Sequence, residues 1–197
     1  MNANNIIPKQ NDGIETNTES STELTSEQEA KQFFEKVKQR LLNVNRWHQY
    51  AGNMTADFQL TDEKGNLVNR EPVKGDHFKI NIPGPGSKSG EGNDWVQVEA
   101  IDEDDGSVGI RVRPVTNPTN QRKDVAHFFS EDTTSSFMVK REGNKVTAGV
   151  YGRNEKPNTQ TETFADKIRN AAVATGAMSG FSKLQWKSLV NGLVKKD

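Results

Sequence analysis

The chain predicts an α+β fold: an N-terminal helix, a curved and mostly antiparallel sheet of six or seven strands or a partial barrel, and a C-terminal helical region packed on the sheet. Three observations carry this. A capping signal and a helical apolar stripe begin near residue 25, short alternating apolar runs separated by Gly, Asn and Asp fill 47–154, and helical spacing returns after 163. No strand–helix–strand alternation accompanies them, so nothing calls for a parallel sheet.

Order is expected to start at Thr25-Ser26-Glu27-Gln28-Glu29. Ser26 as N-cap and Glu29 three residues later form a capping box, and the acidic residues suit the positive end of a helix. Ala30, Phe33, Phe34, Val37, Leu41 and Val44 then make one apolar stripe, ending near residues 43–45. Before this point, 1–24 is Asn, Thr, Ser and Glu with isolated Ile6, Ile7 and Ile14, too little apolar surface to offset the entropy of ordering. The expected division is therefore a disordered arm over 1–24 and one domain over 25–197. Ile6-Ile7-Pro8 is either part of a solubilising tail or a short docking motif.

Strands are expected at 57–61, 77–82, 95–101, 108–113, 125–129, 136–141 and 145–151, with Leu67-Val68 as a short extended piece. Phe78, Ile80 and Ile82 share a face, as do Val108, Ile110 and Val112. Glu142-Gly143-Asn144 is a hairpin turn. The stretch 83–93 has two prolines and four glycines and predicts an exposed loop. After 154, Thr163 caps a helical region carrying Phe164, Ile168, Ala171 and Ala172, and then Phe181, Leu184, Trp186, Leu189, Val190 and Leu193; Gly176 and Gly180 break or bend it. This order of elements over 26–195 resembles the helix-grip fold of START-like and polyketide-cyclase-like ligand carriers. It departs from that family in showing no strand before the first helix.

Composition narrows the function classes. The chain has 197 residues, 31% of them hydrophobic, which suits one core plus an appendage. Lys and Arg number 26 against 27 Asp and Glu, so no long-range field favours a nucleic acid or an anionic membrane. No cysteine is present, which excludes disulfides, thiolate metal sites and cysteine nucleophiles and suits a reducing compartment. The first residues lack the basic flank and apolar stretch of a secretory signal, and no run reaches a membrane span; a cytoplasmic location is expected.

No catalytic or cofactor motif survives inspection. Lys88-Ser89 follows glycines, but Ser87 precedes the lysine and a strand follows, so a phosphate loop is refused. The acidic run 102–106 has its glycine one position early for a calcium loop and reads as a solvated turn. His48, His77 and His127 have no metal-ligand spacing, and Ser130, Ser135 and Ser136 near His127 form no nucleophile elbow.

What remains is a basic cluster, Arg111, Arg113, Lys140, Arg141 and Arg153, in which Arg111 and Arg113 share the strand face opposite Val108, Ile110 and Val112. Either this is a solvated face laced with carboxylates or it receives an anion or an acidic partner. Arg111, Arg113, Lys140, Arg153, Trp95 and Lys88 are the candidate binding residues. The function expected first is a non-enzymatic protein-binding or assembly role, with another protein or a second copy as partner and no cofactor. The alternative is a helix-grip carrier of a small apolar ligand, lined by Phe78, Trp95, Phe137 and Trp186.

Overall fold

Side-chain alternation along the strands separates two faces of one sheet, and the helices cover one of them. The computed structural model describes residues 6–52, 56–82, 87–159 and 178–196, with the side chains of its last helix from Lys183 onward. The elements are β1 (Ile14–Glu23), α1 (Glu27–Leu42), a 3-10 turn (Val44–Arg46), α2 (Trp47–Ala51), β2 (Asp57–Thr61), β3 (His77–Asn81), β4 (Asp94–Asp104), β5 (Ser107–Pro114), β6 (Thr134–Glu142), β7 (Lys145–Glu155) and α3 (Met178–Leu193). The strands pair antiparallel in the order β1-β7-β6-β5-β4-β3-β2. The class is α+β. Helices lie between the first two strands and a long helix follows the last, which is the helix-grip order.

Helix α1 begins where its cap predicts. Ser26 Oγ accepts from Glu29 N–H at 3.2 Å, while the Glu29 carboxylate reaches back to Thr25, accepting from its hydroxyl at 2.6 Å and its N–H at 3.2 Å. Ala30, Phe33, Phe34, Val37 and Leu41 are all buried against the sheet's inner face, where Val108, Ile110, Val112, Phe137, Val139, Val146, Ala148 and Val150 point. At the centre Trp47, 1% exposed, donates its indole N–H to Leu41 O at 2.9 Å. Its ring meets those of Phe58, Phe78 and Phe137 at centroid distances of 5.2, 5.7 and 4.7 Å.

The N-terminus departs from expectation. The segment expected to be a disordered arm supplies the edge strand β1, paired with β7 from Ile14↔Glu155 to Glu23↔Lys145. The ladder with β7 provides the backbone partners that an isolated polar segment lacks. This also supplies the strand before the first helix that the sequence does not reveal. Ile6 is 1% exposed and sits on the sheet's outer face with Met138 and Tyr151, flanked by Ile7 and Ala100. Ser136 Oγ donates to Ile6 O at 2.8 Å. A Cβ on Gly109 would lie 2.9 Å from the Ile6 side chain, so the glycine makes the seat. Ile6 therefore serves an intramolecular contact.

Other differences are local. Residues 125–129 form no strand, apart from a single bridge between Phe129 and Pro157. Asn158 holds this segment as a loop, its side-chain NH2 donating to Val125 O and His127 O, both at 3.0 Å. Leu67 makes only one bridge, to Thr61. In the loop expected to be exposed, residues 83–86 lie outside the described residues, but Ser89 is fully buried and donates to Asp124 Oδ2 at 3.1 Å. The expected helix start at Thr163 and the residues through Ala172 also lie outside the described residues, as does Gly176, whereas Gly180 is within α3. Along β1, Lys187 Nζ donates to Glu19 O at 2.9 Å and Lys196 Nζ to Glu23 O at 3.0 Å. No helix among the described residues is long and apolar enough to cross a membrane.

One truncation and one substitution in the N-terminal segment test this account. Removing Met1 to Leu24 strips the edge strand and Ile6, and is expected to abolish or severely broaden the cooperative thermal transition. Ile6→Ala, at a cost of about 2–4 kcal/mol, should lower Tm by roughly 5–10 °C on circular-dichroism melting. A melt unchanged in both variants would show that the segment does not pack on the sheet.

Candidate functional site

The inner face of the sheet is not filled to its end. Between it and α3 lies a cavity whose walls are Phe58, Phe78, Ile80, Val96, Val112 and Phe137 from the sheet and Trp186 from α3. The loop His127-Phe128-Phe129 forms a rim, and Ser135, Glu155 and Gln185 supply polar groups. The cavity is about 50 Å³ in volume and opens to solvent at its mouth. Trp186 packs on Phe58 and Phe137 at 5.9 and 5.3 Å, so the aromatic network around Trp47 continues into the cavity wall.

Each polar group has an identifiable cause for its position. Gln185, 6% exposed, accepts from Ala56 N–H through Oε1 at 3.1 Å, which ties α3 to the start of β2. His127 Nδ1 accepts from Phe129 N–H at 3.0 Å, so the neutral ring carries its proton on Nε2. The ring stacks on Phe128 at 4.3 Å. Glu155 owes its orientation to a bulge. The register passes from Thr16↔Gly152 to Ile14↔Glu155, one residue more on β7 than on β1, and Asn154 takes φ +55°. Tyr151 and Arg153 face outward, and the extra residue turns Glu155 inward to the cavity.

The N-terminal segment clamps this bulge. Asn154 N–H donates to Gln10 Oε1 at 2.9 Å, and Asn154 Oδ1 accepts from the N–H groups of Asn11 at 2.9 Å and Asp12 at 3.2 Å. Thr16 Oγ1 donates to Glu155 Oε1 at 3.0 Å. Gly152 leaves the room this needs, since a Cβ there would lie 2.0 Å from that carboxylate oxygen. Burial pushes the Glu155 carboxyl above its ordinary range, opposed by the Thr16 hydrogen bond and the charge of Arg153.

The candidate residues from the sequence lie elsewhere. Arg111 and Arg113 share the outer face as their alternation requires, and both pair with Glu99, at 3.0 and 2.5 Å. Lys140 pairs with Glu142 at 3.4 Å, and Arg153 is buried, bound to Glu15 at 3.2 Å and to the carbonyls of Thr16 and Gly152. This is a face laced with carboxylates. Trp95 is buried on the outer side against His77, its indole N–H reaching Gly90 O at 3.4 Å, and Lys88 is exposed in the adjoining turn. None of these six lines the cavity. Of the expected lining residues, Phe78, Phe137 and Trp186 do and Trp95 does not. Glu155, His127, Ser135 and Gln185 were not singled out as ligand-binding residues, although Asn154, a residue type that tolerates φ > 0, directly before a charged residue is a readable bulge signal. Among the described residues no group of three His, Cys, Asp or Glu side chains is placed to hold a metal ion.

The titration of Glu155 has a definite sign. Because the folded carboxyl keeps its proton to higher pH than the unfolded chain, whose value is near 4.5, it costs stability as pH rises through the folded value and nothing below the unfolded one. Glu155→Gln is therefore expected to raise Tm relative to wild type at about pH 7.5 and to lose that advantage at about pH 4, by thermal denaturation at both. An advantage equal at both pH values would place the carboxyl in solvent.

No protein-family model matches the chain, and no curated protein matches it. Among solved structures, it is similar to the hypothetical protein jhp0584 from Helicobacter pylori, with a TM-score of 0.59, 15% identity, and coverage of 98% of this chain and 95% of that one. Weaker similarities run to truncated norcoclaurine synthase from Thalictrum flavum (TM-score 0.42, 7% identity, 96% and 100% covered) and to ginseng major latex-like protein 151 from Panax ginseng (TM-score 0.34, 17% identity, 83% and 94% covered). At 15% identity, the likeness to the Helicobacter pylori protein is one of fold.

Proposed function

We propose that this protein is a carrier that binds a small, largely apolar molecule in the cavity between the sheet and α3. One observation carries the reading: an aromatic-walled opening on the inner face of the sheet, with a few polar groups converging at its rim. A packed α+β core has no need of such a gap, because voids forfeit dispersion contacts and cost stability. The cavity, about 50 Å³, holds a few heavy atoms, so the ligand is small or projects through the mouth. This reading stands ahead of the protein-binding or assembly role that the sequence alone favours, because the segment expected to be a free arm is paired in the sheet as β1 and Arg111, Arg113, Lys140 and Arg153 are engaged with carboxylates. The cysteine-free composition suits the reducing cytoplasm.

Ser135 is partly exposed and lines the cavity, so it accepts a larger side chain with little strain elsewhere. Ser135→Phe is expected to weaken binding of the fluorescent probe N-phenyl-1-naphthylamine by about tenfold or more, ~1.4 kcal/mol, with the thermal transition kept. Fluorescence titration of both proteins reads this directly. Undiminished binding in the variant would place the ligand elsewhere.

A further inference from the structure

We propose that the cavity selects ligands that present a protonated amine, held by the Glu155 carboxylate, over carboxylates or neutral molecules with the same apolar tail. This deepens the carrier reading and rests on it. The argument begins with what lines the space. Among the described residues, Glu155 is the one lining side chain with a formal charge at neutral pH, and no Lys or Arg is among them. Arg153, the nearest cation in the strand, faces the other side of the sheet and is occupied by Glu15 and by the carbonyls of Thr16 and Gly152.

Glu155 is also prepared for a partner. Its Oε1 accepts from Thr16 at 3.0 Å, and no described residue donates to its second oxygen. The bulge at Asn154 and the bare Cα of Gly152 exist at the point where this carboxylate must be turned inward and accommodated. Among the described residues no cation pairs with this partly buried carboxylate; burial shifts its titration upward, and the Thr16 hydrogen bond and the charge of Arg153 only oppose that shift. An ammonium restores the balance through a charge-assisted hydrogen bond, whereas an incoming carboxylate meets like charge in a poorly hydrated space. His127 Nδ1 accepts from Phe129 N–H at 3.0 Å, so that nitrogen is committed within its own loop. The aromatic rings of Phe128, Phe129 and Trp186, which line the same cavity, accept the apolar tail and tolerate a cation at their faces.

The test compares three probes of one tail length, hexylamine, hexanol and hexanoate, by isothermal titration of the full chain at about pH 7.5. Hexylamine is expected to bind about tenfold or more tightly than hexanol, and hexanoate weakest. Glu155→Gln should abolish the advantage of the amine over hexanol. Equal affinities, tightest binding of hexanoate, or an amine preference that survives Glu155→Gln would overturn the inference while leaving the carrier reading intact. If none of the three binds, both fall. The wild-type comparison decides even if the variant does not fold.

Discussion

The cavity depends on one extra residue in β7. Strict alternation along that strand would carry Glu155 to the outer face with Tyr151 and Arg153, leaving the opening without its carboxylate. Asn154, in the left-handed region, breaks the alternation once. Such a conformation is tolerated by Asn better than by most residues, but it persists only where the surroundings fix it. Here they do: Gln10, Asn11, Asp12 and Thr133 all bond to Asn154. The N-terminal segment is thus part of the site's support even though it touches the sheet from the far side.

The same rings serve the core and the cavity. Trp47, Phe58, Phe78, Phe137 and Trp186 form one connected set of aromatic contacts, and all but Trp47 also line the opening. A chain with 31% hydrophobic residues has little apolar material to spare. Using these side chains twice lets a modest core carry a binding surface. It also ties the two energetically, since any change that closes the gap repacks the rings that hold α2 and α3 to the sheet.

Most of the architecture was legible because its signals are local. The Ser26 cap, the stripe from Ala30 to Leu41, and the alternation of Val108, Ile110 and Val112 each report a face to be buried, and each was buried. Strand β1 escaped because its alternation is not one of hydrophobicity. Thr16, Thr18 and Thr22 alternate with Glu15, Asn17 and Glu19, a period of two written in β-branched against acidic and amide residues. A search for apolar runs passes over it, and Ile6 gains its partners only once Met138 and Tyr151, far along the chain, are brought together. The cavity residues were hidden for a related reason. Glu155 reaches its position through a backbone irregularity, and His127 through a loop fixed by the side chain of Asn158, neither of which a strand pattern encodes.

The lysines beside β1 bear on how this molecule behaves in company. A polar ten-residue strand at the border of a sheet is a template on which a second chain can add its own strand, the first step toward fibrous assembly. Lys187 and Lys196 lay their ammonium groups on the carbonyls of Glu19 and Glu23, and a newcomer would have to displace them and tolerate their charge. The two ammonium groups thereby guard that border against the addition of a foreign strand.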